Sequence, residues 1–474
     1  MALPEETHVV IFPFMAQGHT LPLLDLSKAL SRQQIKVSII TTPGNAKSIS
    51  KNISSSYNSP LISLIEIPFP AVDGLPVGCE NTSQLPSMEF HLHFVQATKN
   101  LKKPFEEILK TMVESESPPV CVISDFFLGW TLAVCQSLGV PRLVFHGMGV
   151  LSMAISKTVW VHQPHLKATS DFEPLEMPGM KLPFSLTAAD LPDSINLPDH
   201  DDPMSQIIDE VGAADANSWG IVVNSFEELE RSHIPSFEAF YGGRAKAWCL
   251  GPLVLYDKVE DNYYNDDGKN SSALMQFLSE QITPKSAIYV SFGTQAVVSD
   301  AQLDEVAFGL HDSEFSFLWV VRSKTWRLPD ELEEKIKGKG FITNEWVDQR
   351  KILSHRSTGG FLSHCGWNSV LESVSAGVPI LAWPMIAEQP LNAKLIVDGL
   401  GAGMSIKRVR NSESGVAVTR RDICDGVREL MGGEKGRNAR ERAEALGRVA
   451  RRAVQKGGSS DDSLRKMIDK LRAC

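Results

Sequence analysis

The chain has little that would tie it to an oxidising compartment, a membrane or a nucleic acid. Its seven cysteines, Cys79, Cys121, Cys135, Cys249, Cys365, Cys424 and Cys474, are odd in number, far apart and without a Cys-x-x-Cys pair. Neither a disulfide framework nor a zinc ribbon is indicated, and a reducing, cytoplasmic setting is expected. No apolar run reaches the roughly 18 residues that a membrane span needs. Residues 1–7 have no basic n-region, and Pro13 interrupts the apolar stretch 9–15, so a signal peptide is not expected. Positive charge is not in surplus: 47 Lys and Arg face 57 Asp and Glu, a net −10 with the basic residues scattered. A nucleic-acid groove needs a concentrated basic footprint and is not expected here.

What is present is a long chain with ample core material. It has 474 residues, 43% of them hydrophobic, enough for about two or three domains. Short β-branched runs alternate with segments of helical period, the pattern of parallel sheets covered by helices on both faces. Strands are expected at residues 8–13, 37–42, 62–67, 120–124, 142–145 and 221–224, with helices at 21–32, 89–112 and 128–138. A second set of strands follows at 287–292, 317–321, 341–343, 359–363 and 380–382. Gly251 and Pro252 open a stretch to 272 whose acidic, Asn- and Tyr-rich core at 257–269 reads as a linker. The expected organisation is an α/β chain of two facing Rossmann-like domains, 1–250 and 273–456, with a final helical segment 457–474 that folds back on the first.

In such sheets ligands sit beyond the carboxyl ends of the strands, where connections diverge to opposite faces. Strands one and four are neighbours there, so His19, in the loop after strand one, and Asp125, ending strand four, are expected to meet. A histidine held by a carboxylate is kept in one tautomer and made more basic, as a general base facing a hydroxyl requires. A helix-capping His19 and a strand-ending Asp125 explain the same pattern. In the second half, the run His364, Cys365, Gly366, Trp367, Asn368, Ser369 lies at a strand-to-helix turn whose free N–H groups and dipole favour a diphosphate. Gly293 and Thr294 after the neighbouring strand reach the same place. Phe14, Met15, Phe90, Phe94, Phe126, Met148 and Leu197 are candidates to line an apolar acceptor pocket, each of them equally readable as core packing.

These residues carry a family resemblance. Trp346, Gln349, His355, His364 to Ser369, Glu372, Pro379, Trp383, Pro384, Glu388 and Gln389 resemble the signature box of plant secondary-product UDP-glycosyltransferases. Residues 12–19, 74–81 and 124–130 resemble the same family, so the likeness spans essentially the whole chain. It implies a GT-B fold and an inverting transfer from a UDP-sugar, with UDP-glucose favoured, to a small lipophilic acceptor such as a flavonoid, another phenol or a terpenoid. It implies no metal and no cofactor beyond the donor substrate, and a monomer is expected. Carried over by position, Trp346 stacks on uracil, the Val347 backbone reads its edge, and Gln349 and Glu372 hold the ribose. His364, Asn368 and Ser369, with Thr294, hold the diphosphate. Trp367, Glu388 and Gln389 bind the sugar, and Gly18 and Gly366 complete the donor-binding set. His19 becomes the base and Asp125 its partner.

Three departures stand out: Val347-Asp348 where the box has Ala-Pro, Glu388 where Asp is commoner, and Gly147-Met148 where a threonine touches the sugar. Asp199-His200-Asp201 spells a metal-binding string but lies in a Pro- and Asp-rich loop, and residues 399–403 read as a helix stop rather than half a dinucleotide fingerprint. His91, His93, His146 and His165 have no partners at metal-ligand spacing. A non-catalytic nucleotide-sugar sensor on the same fold shares the donor box, and only the His19–Asp125 pair argues against it. Whether oxygen or aromatic carbon is glycosylated stays open.

Overall fold

The computed structural model describes residues 7–56, 59–192, 195, 202–256, 269–407 and 418–473. Seven strands form the first sheet: β1 (His8–Phe12), β2 (Lys36–Thr41), β3 (Ile62–Glu66), β4 (Pro119–Asp125), β5 (Arg142–His146), β6 (Gly220–Val223) and β7 (Lys246–Cys249). Six form the second: β8 (Ala287–Ser291), β9 (Ser316–Val320), β10 (Gly340–Thr343), β11 (Thr358–Ser363), β12 (Ile380–Ala382) and β13 (Gly403–Ser405). Their orders are 3-2-1-4-5-6-7 and 10-9-8-11-12-13, with every pairing parallel. Each sheet therefore reverses its winding beside its own first strand, between β1 and β4 and between β8 and β11, and the two together make the GT-B architecture.

Alternation along each first strand shows why the sheets are covered on both faces. Val9 and Ile11 join one buried cluster, Val10 and Phe12 the other. Ala287 and Tyr289 likewise part from Ile288 and Val290. The last helix, Ser459–Arg472, presents Leu464, Met467, Ile468 and Leu471 at helical spacing to the cluster beneath β1 and β2, far from the second sheet that precedes it in sequence. Arg472 fixes its end by donating to the Thr7 hydroxyl at 2.8 Å.

Several elements differ from the sequence-based expectation for identifiable reasons. The helix expected over 89–112 is two, His91–Thr98 and Lys102–Val113, joined by a turn at Lys99–Leu101. Pro104 lacks an N–H, and its ring would crowd the carbonyl of Asn100, so the tighter turn falls there. The helix expected from 128 begins at Thr131, after a separate turn at Phe126–Leu128. The edge strands β7 and β13 were not expected: β7 opens on the exposed Lys246, and β13 is three residues hidden in a glycine-rich run. The glycine-rich run near 399–403 does end a helix, but its last glycine also opens β13, where a Cβ would lie 2.6 Å from the Ile380 carbonyl. The first helix starts at Gln17, so His19 lies in its first turn rather than in the preceding loop.

Removing the Leu464 side chain should open a cavity in the first lobe and lower unfolding free energy by about 2–5 kcal/mol for Leu464→Ala. Urea denaturation followed by tryptophan fluorescence would measure it, and an unchanged midpoint would mean that the helix contributes no core.

Candidate active site

The first helix brings His19 back over the end of β4. Its Nδ1 lies 2.7 Å from Asp125 Oδ2; the carboxylate is fully buried and the imidazole about one-fifth exposed (21%). Asp125 Oδ1 accepts from the Phe127 amide at 3.1 Å. Behind it, buried Arg142 donates to the Asp125 carbonyl at 3.4 Å and to Ser124 Oγ at 2.8 Å, which fixes the strand end. With Nδ1–H given to Asp125, Nε2 is left as the acceptor nitrogen. Burial works to lower the His19 pKa, but the attraction and hydrogen bond of Asp125, with Glu388 adding from the other lobe, outweigh it and raise the pKa above 6.5.

Across the cleft, β11 turns through Cys365, which takes a left-handed φ of 62°, into the helix Trp367–Ala376. Its first turn leaves N–H groups without intrahelical acceptors. His364 packs so closely on Gly293, at φ 76°, that a Cβ there would lie 2.7 Å from the ring, so only glycine fits the turn after β8. Burial, opposed by a backbone hydrogen bond at Ser291, pushes His364 down to about 4, so it faces the turn as a neutral imidazole. Thr294 is exposed beside it. Gln349 Nε2 donates to Glu372 at 2.7 Å and to Ser369 Oγ at 2.9 Å. Trp346 holds its indole 55% exposed, an open platform, and Val347 is half-buried. The Asp348 departure has a local cause: its carboxylate caps the helix Gln349–Ser354, accepting from Arg350 N at 3.1 Å and Lys351 N at 3.3 Å.

Glu388 and Gln389 lie after β12. Burial raises the Glu388 pKa, while its own backbone, the Asn392 side chain, His19 and the Trp367 backbone oppose the shift. Gln389 Oε1 accepts from the amides of Met385 and Ile386 at 3.0 and 2.9 Å, which leaves its Nε2 free to aim outward. Trp367 departs from the expected sugar contact: its indole Nε1 donates to the Asn224 carbonyl in the first lobe at 2.7 Å, and its ring fills the space above Gly149. Gly366 is the N-cap of its helix, and Gly18 offers its carbonyl to Asn368 Nδ2 at 2.7 Å. Among the described residues no cluster of three His, Cys, Asp or Glu side chains could hold a metal ion, and no helix is long and apolar enough to cross a membrane.

The family of UDP-glucoronosyl and UDP-glucosyl transferases matches residues 266–433. UDP-glycosyltransferase 90A1 of Arabidopsis thaliana is 38% identical, with 98% of this chain and 96% of the relative covered. The chain belongs to the UDP-glycosyltransferase family. The scopoletin glucosyltransferase of Nicotiana tabacum is 36% identical, with 98% of each chain covered. The crystal structure of Glycyrrhiza uralensis UGT73P12 with glycyrrhetinic acid 3-O-monoglucuronide matches this glycosyltransferase with a TM-score of 0.84 at 28% identity, covering 99% of this chain and 96% of that one.

Of the residues expected to line an acceptor pocket in this glycosyltransferase, Phe14, Met15 and Phe94 are buried to within 3% and belong to the core instead. Phe126 and Met148 are half-buried after β4 and β5. Phe126 lies 5.9 Å from the His19 ring and stacks at 5.1 Å on His146, whose Nε2 contacts buried Asp215 at 2.8 Å. Phe90 pairs with His93 at 6.5 Å, outside this group. Leu197 and the Asp199-His200-Asp201 string lie outside the described residues. Two residues that sequence reasoning missed belong here: Phe127, 4.1 Å from Phe126, and His91, 5.5 Å from Phe127. Phe127 directly follows the expected Phe126 in the turn after β4, whereas no sequence spacing signalled His91, whose place follows from how the helix His91–Thr98 docks.

The lobes are tied by an ion pair. Arg350 donates to both oxygens of Asp25, at 3.0 and 2.6 Å, and to Glu372 at 3.4 Å. Burial opposes the Arg350 charge, but Asp25 and Glu372 outweigh it. Arg350→Met removes the guanidinium that holds both oxygens of the Asp25 carboxylate, itself only 2% exposed. A loss of about 3–5 kcal/mol is expected in equilibrium denaturation, with partial recovery when Asp25→Asn is added. Full additivity of the two changes would mean no coupling.

Proposed function

We propose that this UDP-glycosyltransferase transfers glucose from UDP-glucose to a hydroxyl of a small, flat, lipophilic acceptor, with His19 as general base and Asp125 as its partner. The observation that carries this reading is the 2.7 Å His19–Asp125 contact at the cleft, facing Glu388 of the donor lobe. A protein that only bound a nucleotide sugar would have no use for a histidine held in one tautomer beside the acceptor side.

His19 Nε2 takes the proton of the acceptor hydroxyl as its oxygen attacks the anomeric carbon. The bond from that carbon to the diphosphate oxygen breaks, UDP leaves with the electron pair, and an α-linked donor gives a β-product. The imidazolium formed is stabilised by the buried Asp125 and by Glu388. Charge developing on the diphosphate meets the amides that open the helix Trp367–Ala376, together with Asn368, Ser369, Thr294 and neutral His364, so no acid catalyst is needed. Trp346 stacks on uracil beside the Val347 backbone. The ribose hydroxyls take up Glu372 and Gln349, which bond to each other at 2.7 Å in the structure. Glu388 and the free Nε2 of Gln389 hold the sugar, with Trp367 restricted to its backbone. Relatives named for scopoletin glucosylation, and one crystallised with a glycyrrhetinic acid glucuronide, support a lipophilic acceptor.

UDP release from UDP-glucose with phenolic and terpenoid acceptors, products read by mass, tests the reading. A product heavier by one hexose is expected, with turnover in His19→Ala down by about 10²- to 10⁴-fold and UDP affinity nearly intact. Equal loss of both would sink the base assignment. Because only neutral His19 can accept a proton, kcat/KM should fall as pH drops through a pKa above 6.5. Asp125→Asn removes the attraction that raises that pKa, so in this variant the acidic limb should move to lower pH.

A further inference from the structure

Two imidazoles stand against the same pair of phenyl rings. His19 lies 5.5 Å from Phe14 and 5.7 Å from Phe127. His91, at the start of the helix His91–Thr98, lies 6.1 Å from Phe14 and 5.5 Å from Phe127, edge-on to both at 66° and 69°. The two histidines differ in what their nitrogens do. His19 gives Nδ1 to Asp125, whereas His91 is only half-buried and has no hydrogen-bond partner among the described residues.

A histidine that served packing alone would be replaceable by phenylalanine, as its neighbours Phe14, Phe94 and Phe127 illustrate. Here a half-buried polar ring is set against Phe14 and Phe127 and has no hydrogen-bond partner among the described residues. Burial, and then the nearby His19, lower the His91 pKa, so the ring is neutral and offers one donor and one acceptor. Its neutrality suits the site, since a second cation against the same rings would oppose the charge that His19 acquires when it takes a proton.

We propose that His91 is a second polar subsite of the acceptor pocket, binding a further hydroxyl or carbonyl oxygen carried by a flat aromatic acceptor next to the hydroxyl presented to His19. When an acceptor fills the pocket, water is displaced from the His91 nitrogens. An acceptor with a second oxygen replaces that water, while one without it leaves a buried polar edge unpaired, which costs more than the hydrogen bond itself contributes. The site therefore selects for ortho-dihydroxy or hydroxy-carbonyl aromatics over simple monophenols.

The subsite rests on the acceptor-pocket part of the function proposed above, so binding and turnover are measured separately. The probes are 2-naphthol and 2,3-dihydroxynaphthalene, a flat pair differing by one hydroxyl. Their affinity for the protein saturated with UDP is read by quenching of naphthol fluorescence, and turnover is measured with UDP-glucose. The unmodified chain should favour the dihydroxy compound about 3- to 10-fold. His91→Phe, which keeps the ring, should erase that preference by strengthening 2-naphthol binding and weakening that of the dihydroxy compound, and His91→Asn, which keeps a donor and an acceptor, should retain part of it. A preference that survives in His91→Phe, or is missing from the unmodified chain, overturns the subsite. A His91-dependent preference in binding without any glucose transfer would keep the subsite and overturn the transfer to phenols.

Discussion

The cleft depends on a carbonyl that a proline sets free. Pro22 has no N–H, so the Gly18 carbonyl, four residues earlier in the first helix, has no intrahelical donor. Asn368, at the start of the donor-lobe helix, supplies one at 2.7 Å. His19 follows Gly18 immediately, and Asn368 follows Trp367, whose indole is anchored to Asn224. The base and the helix terminus proposed to hold the diphosphate are thus positioned against each other by a bond to a carbonyl that Pro22 leaves without its usual helical donor. About two turns further on, Asp25 and Arg350 repeat the connection with charge. The faces of two Rossmann-like sheets have no intrinsic register, and these contacts supply one.

Burial shapes the electrostatics on both sides. Asp125, Glu230 and Asp25 are all 2% exposed or less, yet each is engaged: Asp125 by His19 and an amide, Glu230 by the amides of Val150 and Leu151 and by Ser225, Asp25 by a bidentate guanidinium. Buried carboxylates survive only when so occupied. In Glu388 and Glu372 burial raises the pKa, and under the proposed function their present partners are ones that a sugar or ribose hydroxyl can replace or join. The donor lobe therefore holds its polar groups partly on one another, ready to exchange those bonds for a ligand's.

Much of this was legible in the sequence because parallel strands buried on both faces leave continuous apolar runs, and because topology then forces strands one and four together. That placed His19 beside Asp125, and the family resemblance located the donor residues on the same turn. Other features depended on packing that no periodicity encodes. β13 is three residues long and hidden in a glycine run. Pro104 was visible, but its effect on the helix before it depends on how that segment docks. Phe14 and Phe94 were expected to line an acceptor pocket, yet whether a ring faces ligand or core is decided by side-chain direction, and both face the core. His91 looked like a lone histidine because its significance lies in sharing Phe14 and Phe127 with His19, a relation between segments about seventy residues apart.

The final helix has a mechanical meaning beyond its core contacts. The chain leaves the first lobe after Tyr256 and returns to it when Ser459–Arg472 docks beneath β1 and β2, so the lobes are joined by two covalent passages rather than one. A single tether would permit swivelling in any direction. A second tether, packed into the core of the first lobe, narrows the range of positions the two lobes can take relative to each other and so keeps Asn368 within reach of Gly18.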